Sequence, residues 1–213
     1  MTKKTSRDRD PEGTKRKVLQ AAETTFAERG FAGTSIREIA RRSGVSGPLI
    51  LFHFQSKEGV YETVKEEICR RWYESQSFVM DPEFSGSTKD FFRHMIENSF
   101  AFYRDNPTMI LLANWGRLEG DNEPWGEEDR YHRQCKQFIQ EAQERGDVRS
   151  DIAPMTIATA ICGAIHIWWE FREHIQQGNC QVVSDEAYMN QLTDLFITGL
   201  GISTNDDEGG TQT

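Results

Sequence analysis

Residues 34–54, TSIREIARRSGVSGPLILFHF, constrain the chain more tightly than any other stretch. Ser35 and Glu38 have capping-box spacing, a polar oxygen followed three residues later by a carboxylate. Ile36, Ile39 and Ala40 then supply one apolar face, and Arg37, Arg41 and Arg42 make the other surface cationic. Gly44 falls just past this helix, where the backbone must turn left-handed and glycine does so at least cost. Val45 follows as an apolar plug. Ser46 is a second N-cap, and Pro48 sits in a first turn that can spare its amide hydrogen. Two short helices joined by a tight glycine turn form a helix-turn-helix, whose second helix can enter a DNA major groove.

Charge distribution agrees with that reading. The whole chain carries a formal charge of −9 over 213 residues. Residues 1–54 nevertheless hold 11 Lys and Arg against 6 Asp and Glu, whereas the remainder holds 14 against 28. A basic head on an acidic body suits a protein that meets a polyanion at one end only.

The rest reads as helices, with no strand pattern and no internal repeat. Residues 1–13 are polar and aperiodic, an expected disordered arm whose Lys3, Lys4, Arg7 and Arg9 are offset by Asp8, Asp10 and Glu12. Thr14–Arg29 places Val18, Leu19, Ala22 and Phe26 on one face and ends at Gly30; packed across the two short helices, it supplies the core they lack. After Ser56 a long helix is expected to run to about Val79, with Val60, Val64, Ile68 and Trp72 four apart. Further helices are expected over 88–103, 107–118, 125–145, 154–177 and 184–200, with a polar tail at 202–213. The predicted class is all-α with about nine helices: an arm at 1–13, a helix-turn-helix domain at 14–55 and a helical body at 56–201. The most apolar run, Ile152–Trp169, contains Pro154 and His166 and reads as a buried helix. Cys69, Cys135, Cys162 and Cys180 are widely spaced and no apolar run follows the basic N-terminus, so free thiols in the cytoplasm are expected.

Residues 13–64 resemble the TetR family of bacterial transcriptional regulators. The likeness rests on Ala21-Ala22, Phe26-Ala27-Glu28 with Gly30-Phe31, Gly33-Thr34-Ser35 with Ile39-Ala40, Gly44-Val45-Ser46, His53-Phe54 and Ser56-Lys57-Glu58, in order and without a gap. The resemblance implies a homodimer whose N-terminal domains bind a palindromic operator and whose C-terminal domain binds a small effector. It also implies a repressor, dimerised by its last two long helices through Ile157, Ile161 and Ile165 on one and Leu192, Leu195 and Phe196 on the other. Leu49 and Leu51 stand where the family's reading helix usually has a small polar residue and a phosphate-binding tyrosine. The DNA-facing set is therefore Thr34, Ser35, Arg37, Ser46, Gly47, Pro48, Leu49, Phe52 and His53, with Lys57 and the first amides of the next helix holding a phosphate.

Trp72, Phe100, Tyr103, Trp115, Trp168 and Trp169, with Arg104 and His166 as polar anchors, are candidates to line a site for a hydrophobic or aromatic effector, though aromatics at helical spacing also build ordinary core. Two other classes stay open. Cys162 with His166, and His132 with Cys135, have spacings that suit zinc in a metal-responsive sensor, yet each pair lacks further ligands in register. Glu170 and Glu173 beside His166 and His174 resemble acid–base machinery, but the chain has no nucleophile elbow, phosphate-cradling glycine loop or HExxH, so an enzyme is not expected. No cofactor or resident metal is called for.

Overall fold

The computed structural model describes residues 10–81, 84–121, 123, 125–126, 128–177 and 183–202. Among these, the secondary structure is ten helices: α1 Pro11–Arg29, α2 Ile36–Ser43, α3 Gly47–Phe54, α4 Lys57–Ser75, α5 Ser77–Met80, α6 Thr88–Asp105, α7 Thr108–Glu119, α8 Glu128–Arg145, α9 Pro154–Gln177 and α10 Asp185–Gly199. They divide into two compact units. One holds the chain up to Ile68 together with Leu111–Gly126; the other holds Cys69–Ile110 and the chain from Glu127 onward. The division falls inside α4 and inside α7, not at residue 55, so each of these helices is continuous from one unit into the other. No described helix is long and apolar enough to cross a membrane.

The first unit is built on α1. Asp10 accepts the amide of Gly13 at 2.8 Å and Pro11 occupies the first turn, so the helix begins inside the segment expected to be an arm. The basic residues of that arm, Lys3 to Arg9, lie outside the described residues. Val18, Ala22 and Phe26 are fully buried, as are Ile39 of α2, Ile50 of α3 and Val60 of α4. Tyr61 lies edge-on to Phe26 at 4.9 Å and near Phe31 at 5.1 Å, so Phe31 does fold back as its place after the helix-ending Gly30 suggested.

The second unit has its own core. Phe91, Phe92, Met95 and Ile96 of α6 pack in one cluster with Tyr131, Cys135 and Ile139 of α8, Ile157, Ile161, Ile165 and Trp168 of α9, and Leu192 and Ile197 of α10. Phe91 stacks on Phe138 with centroids 3.6 Å apart. The expected single helix from Ser56 to Val79 is instead interrupted at Gln76. That residue is fully buried, its side-chain amide donates to Ser99 Oγ at 3.3 Å, and α5 begins after it as a separate turn.

The expected dimer residues need correction. Ile157, Ile161, Ile165 and Leu192 are core of the protomer, none more than 6% exposed, and Phe196 packs against the same core. Only Leu195, at 66%, faces outward. α9 is apolar on two faces: its outward one carries Ile167, Phe171 and Ile175, exposed at 50%, 43% and 39%. We predict that Ile161→Ala lowers unfolding free energy by about 2–5 kcal/mol, the usual loss for a buried Ile. Ile167→Ala is expected to cost about 0.5 kcal/mol or less in a protomer. Denaturant titration of both variants checks which face is inside.

Candidate nucleic-acid interface and effector site

The α2–α3 pair has the geometry its sequence implies. Ser35 Oγ accepts the Glu38 amide at 3.3 Å and opens α2. Gly44 closes it in the left-handed region, φ 69° and ψ 13°, with its amide donating to the Ala40 carbonyl. Ser46 starts α3 through its carbonyl, which accepts the Leu49 and Ile50 amides at 3.0 Å; its hydroxyl makes no cap hydrogen bond. α3 ends in a turn that sequence reasoning missed. Gln55 has φ 68° and ψ −45°, and the Ser56 amide donates to the Phe54 carbonyl at 2.8 Å. These are the dihedrals and hydrogen bond of a γ-turn of the strained hand, which a side chain other than glycine adopts at a cost.

Much of the positive charge here is already paired. Glu38 does not turn back on the Ser35 amide to complete the expected capping box. It takes Arg41, with Nη2 at 2.7 Å and Nε at 3.1 Å, and lies near Arg42 and Arg29. The Arg41 hydrogen bond pulls the Glu38 carboxyl down to about 2, and it stays ionised through the ordinary acid range. Arg42 holds Glu28 with both terminal nitrogens. Arg37 is exposed and makes no ion pair among the described residues.

Two residues expected to face DNA are turned inward. Thr34 is 4% exposed, and its hydroxyl donates to the Gly30 carbonyl at 2.7 Å. Lys57 donates to the carbonyls of Phe31 and Thr34 at 2.9 and 3.1 Å and lies 4.0 Å from the centre of the Phe31 ring. Both fasten the α1–α2 turn; neither presents itself as a phosphate ligand. The exposed remainder of the expected set is Ser35, Arg37, Ser46, Pro48, Leu49 and Phe52, with Gly47 and His53 half-buried.

The same turn is gripped from a distant segment that sequence reasoning also missed. The Glu119 carboxylate accepts the amides of Phe31 and Ala32, both at 2.9 Å, and Trp115 Nε1 donates to the Ala27 carbonyl at 3.1 Å. A side chain at Gly30 would meet the Trp115 ring at 2.7 Å, so this close approach requires glycine as much as its φ of 69° does. Lys65, almost fully buried, bonds Asp121 and Glu62 at 3.0 Å each. Burial pulls its ammonium down, and the two carboxylates more than offset that. Trp115 thus belongs to the first unit, with the helix-turn-helix, and not among the effector-site aromatics.

In the second unit the expected effector residues form two groups. Trp72, Tyr103 and His166 are linked ring to ring at 5.7 and 5.9 Å, and Tyr131 joins Trp72 at 5.9 Å. Phe100 meets Trp169 at 4.9 Å, with the Arg172 guanidinium 4.4 Å from that indole. Trp168 stacks on Tyr188, and its Nε1 donates to Asp185. Arg104 is exposed and paired with Asp105, so it anchors nothing inside. Trp169 Nε1, buried beside these rings, has no hydrogen-bond partner, and the buried Tyr131 hydroxyl lies against the Cys135 thiol. A separate open cleft of about 850 Å³, bordered by Phe84, Lys89, Arg130, Phe138 and Arg145, includes none of the expected effector residues.

The zinc-type spacings lead nowhere comparable. Burial pushes the Cys135 thiol up to about 12 and Cys162 up to about 11, which disfavours the thiolate a metal needs. His166 Nε2 lies 3.4 Å from Glu170. No group of three or more metal-ligating side chains occurs among the described residues.

Comparison with known proteins matches this architecture. The family model described as "Bacterial regulatory proteins, tetR family" matches residues 18–64. A second, "Tetracyclin repressor-like, C-terminal domain", matches residues 95–192, and together the two cover more than half of the chain. The chain belongs to the TetR family of bacterial regulatory proteins. The HTH-type transcriptional regulator RutR of Escherichia coli K12 is 34% identical over 115 residues, 54% of this chain and 52% of RutR. The A-factor receptor protein of Streptomyces griseus is 28% identical over 152 residues, 68% of this chain and 50% of the receptor. The chain thus spans about half the length of the curated relatives it matches. Among solved structures, SCO4942 of Streptomyces coelicolor superposes with a TM-score of 0.74 at 20% identity, over 89% of this chain and 99% of that one. A TetR-like transcriptional regulator of Rhodococcus gives 0.64 at 19% identity, over 88% and 96%. At these identities the structures establish the fold.

The γ-turn yields a prediction. Gln55→Gly relieves the positive φ and is expected to raise unfolding free energy by about 1 kcal/mol, or a few degrees in Tm. A loss of stability in a thermal melt would contradict the strained-turn assignment.

Proposed function

We propose that this chain is a cytoplasmic transcriptional regulator, a homodimeric repressor that binds palindromic operator DNA through α2 and α3 and is released by a small hydrophobic or aromatic effector. The observation that carries the reading is the α2–Gly44–α3 hairpin with α3 exposed on its outer side, inside the segment matched by the TetR family model. In a dimer, two such helices about 34–36 Å apart enter successive major grooves on one side of the duplex. The names of RutR and the A-factor receptor, a transcriptional regulator and a receptor, are of the same kind.

For the effector, the rings of Trp72, Tyr103 and Tyr131 and the pair Phe100–Trp169 offer an apolar lining. The unpartnered Trp169 indole nitrogen offers a hydrogen bond. A buried donor without a partner is costly, and a ligand acceptor would offset that cost. An effector shifts binding only by its differential affinity for the DNA-competent and DNA-incompetent states. α4 and α7 are the continuous helices along which a change in the second unit would travel, and the α7 end grips the α1–α2 turn through Glu119. For the dimer, the outward faces of α9 and α10, with Ile167, Phe171, Ile175 and Leu195, take the place of the buried residues expected from sequence.

Selection of duplexes from a random pool by the purified protein tests the reading. The expected product is a two-fold symmetric site whose affinity falls at least about tenfold between 50 and 200 mM salt. Failure to enrich any duplex would overturn the function. Phe171→Glu is expected to give a monomer by sedimentation and to lose that site, while a dimer of unchanged affinity would remove the α9 face from the interface.

A further inference from the structure

α3 is eight residues long, and its outer face is entirely hydrocarbon. At 100° per residue, Ile50 and Phe54, both buried, mark the inner side. Pro48 and Phe52 then lie opposite them, at the middle of the outer side, with Leu49 and Leu51 on the two flanks. The exposures follow that wheel: Phe52 is 78% exposed, Leu51 42% and Leu49 41%. His53 is the only polar side chain in the helix; it is half-buried, with its ring against Phe52 and Phe54. The exposed side chains of that outer face, Pro48, Leu49, Leu51 and Phe52, carry no donor or acceptor and cannot read base edges by hydrogen bonds. Yet α3 is the helix that the hairpin geometry offers to the groove.

We propose that α3 selects its operator through the C5-methyl groups of thymine, with Phe52 as the central contact and Leu49 and Leu51 on either side. This rests on the DNA-binding function proposed above. The thymine methyl is the one apolar group that a base pair shows in the major groove. The side chains also discriminate against the alternative. A cytosine in place of thymine carries only a hydrogen at C5, so the contact with carbon is lost. The bordering residues favour a nucleic acid over an apolar protein partner. Arg37 is exposed on α2 and makes no ion pair among the described residues, and the exposed Ser46 hydroxyl is not used in capping. Residues 1–54 carry an excess of positive charge over an acidic remainder.

The test uses the intact protein and the duplex enriched from the random pool. Replacing each thymine with deoxyuridine removes the methyl and leaves every hydrogen-bonding edge in place. Affinity is expected to fall about three- to fourfold for each contacted methyl, the factor for one buried CH₂-sized group, and about tenfold when both half-sites are changed. Phe52→Ala removes an exposed side chain and is expected to leave the fold unchanged. It should still bind the duplex at low salt but lower the thymine-to-uracil ratio, bringing it close to one at the thymine that Phe52 contacts. Equal binding of the thymine and uracil duplexes by the unaltered protein would overturn methyl readout and leave DNA binding intact. Failure to bind any duplex would overturn both. Self-association abolished by Phe52→Ala, with no change in the thymine-to-uracil ratio, would assign the face to a second copy of the chain and also overturn the proposal.

Discussion

Two eight-residue helices cannot bury enough surface to hold a fixed geometry by themselves, and the structure of the first unit is the answer to that constraint. α1 gives them Val18, Ala22 and Phe26 to pack on, and α4 adds Val60 and Tyr61. What fixes their direction is the turn between α1 and α2. Its carbonyls take Lys57 and the Thr34 hydroxyl, and two of its amides take Glu119. Polar backbone that would otherwise be left to water is held from three places, so α2 leaves α1 in one direction and α3 follows through Gly44.

That arrangement changes how the charge of this unit should be counted. The composition of residues 1–54 suggests a strongly cationic tip. In the folded unit Arg41 is bonded to Glu38, Arg42 to Glu28, and Lys57 to backbone carbonyls. These groups shape the surface, but they offer less to phosphate than their number implies. The proposed recognition then rests more on the few exposed positions, Arg37 and the hydrocarbon face of α3.

The locally determined features were legible in the sequence. Ser35, Gly44 and Pro48 act within a few residues of themselves, and each appears in its expected role in α2 or α3, although Ser46 stands at the start of α3 without a side-chain cap bond and Glu38 closes on arginines in place of the Ser35 amide. The helices of the second unit were readable from their period, and Pro154 and Ser184 mark the starts of α9 and α10. Features set by distant partners were not readable. Glu119 and Trp115 act on residues 88 positions away. α4 breaks at Gln76, whose buried amide meets Ser99 23 residues away, and periodicity carries no sign of that. α9 misled for a different reason: apolar residues occupy two of its faces, and a hydrophobic period cannot say which one faces the protomer's own core. The exposed hydrocarbon on α3 was visible as Leu49, Leu51 and Phe52, but burial was needed to show that those residues, and not Ile50 and Phe54, face outward.

The proposed function requires two α2–α3 tips to act together at a fixed spacing on one duplex. Hydroxyl-radical footprinting of the enriched duplex, with the bound mass measured in parallel, tests it most directly. The expected result is an even number of chains per duplex and protected patches on one side of the DNA, centred about 34–36 Å apart or a multiple of that. A single protected patch with one chain bound would contradict it.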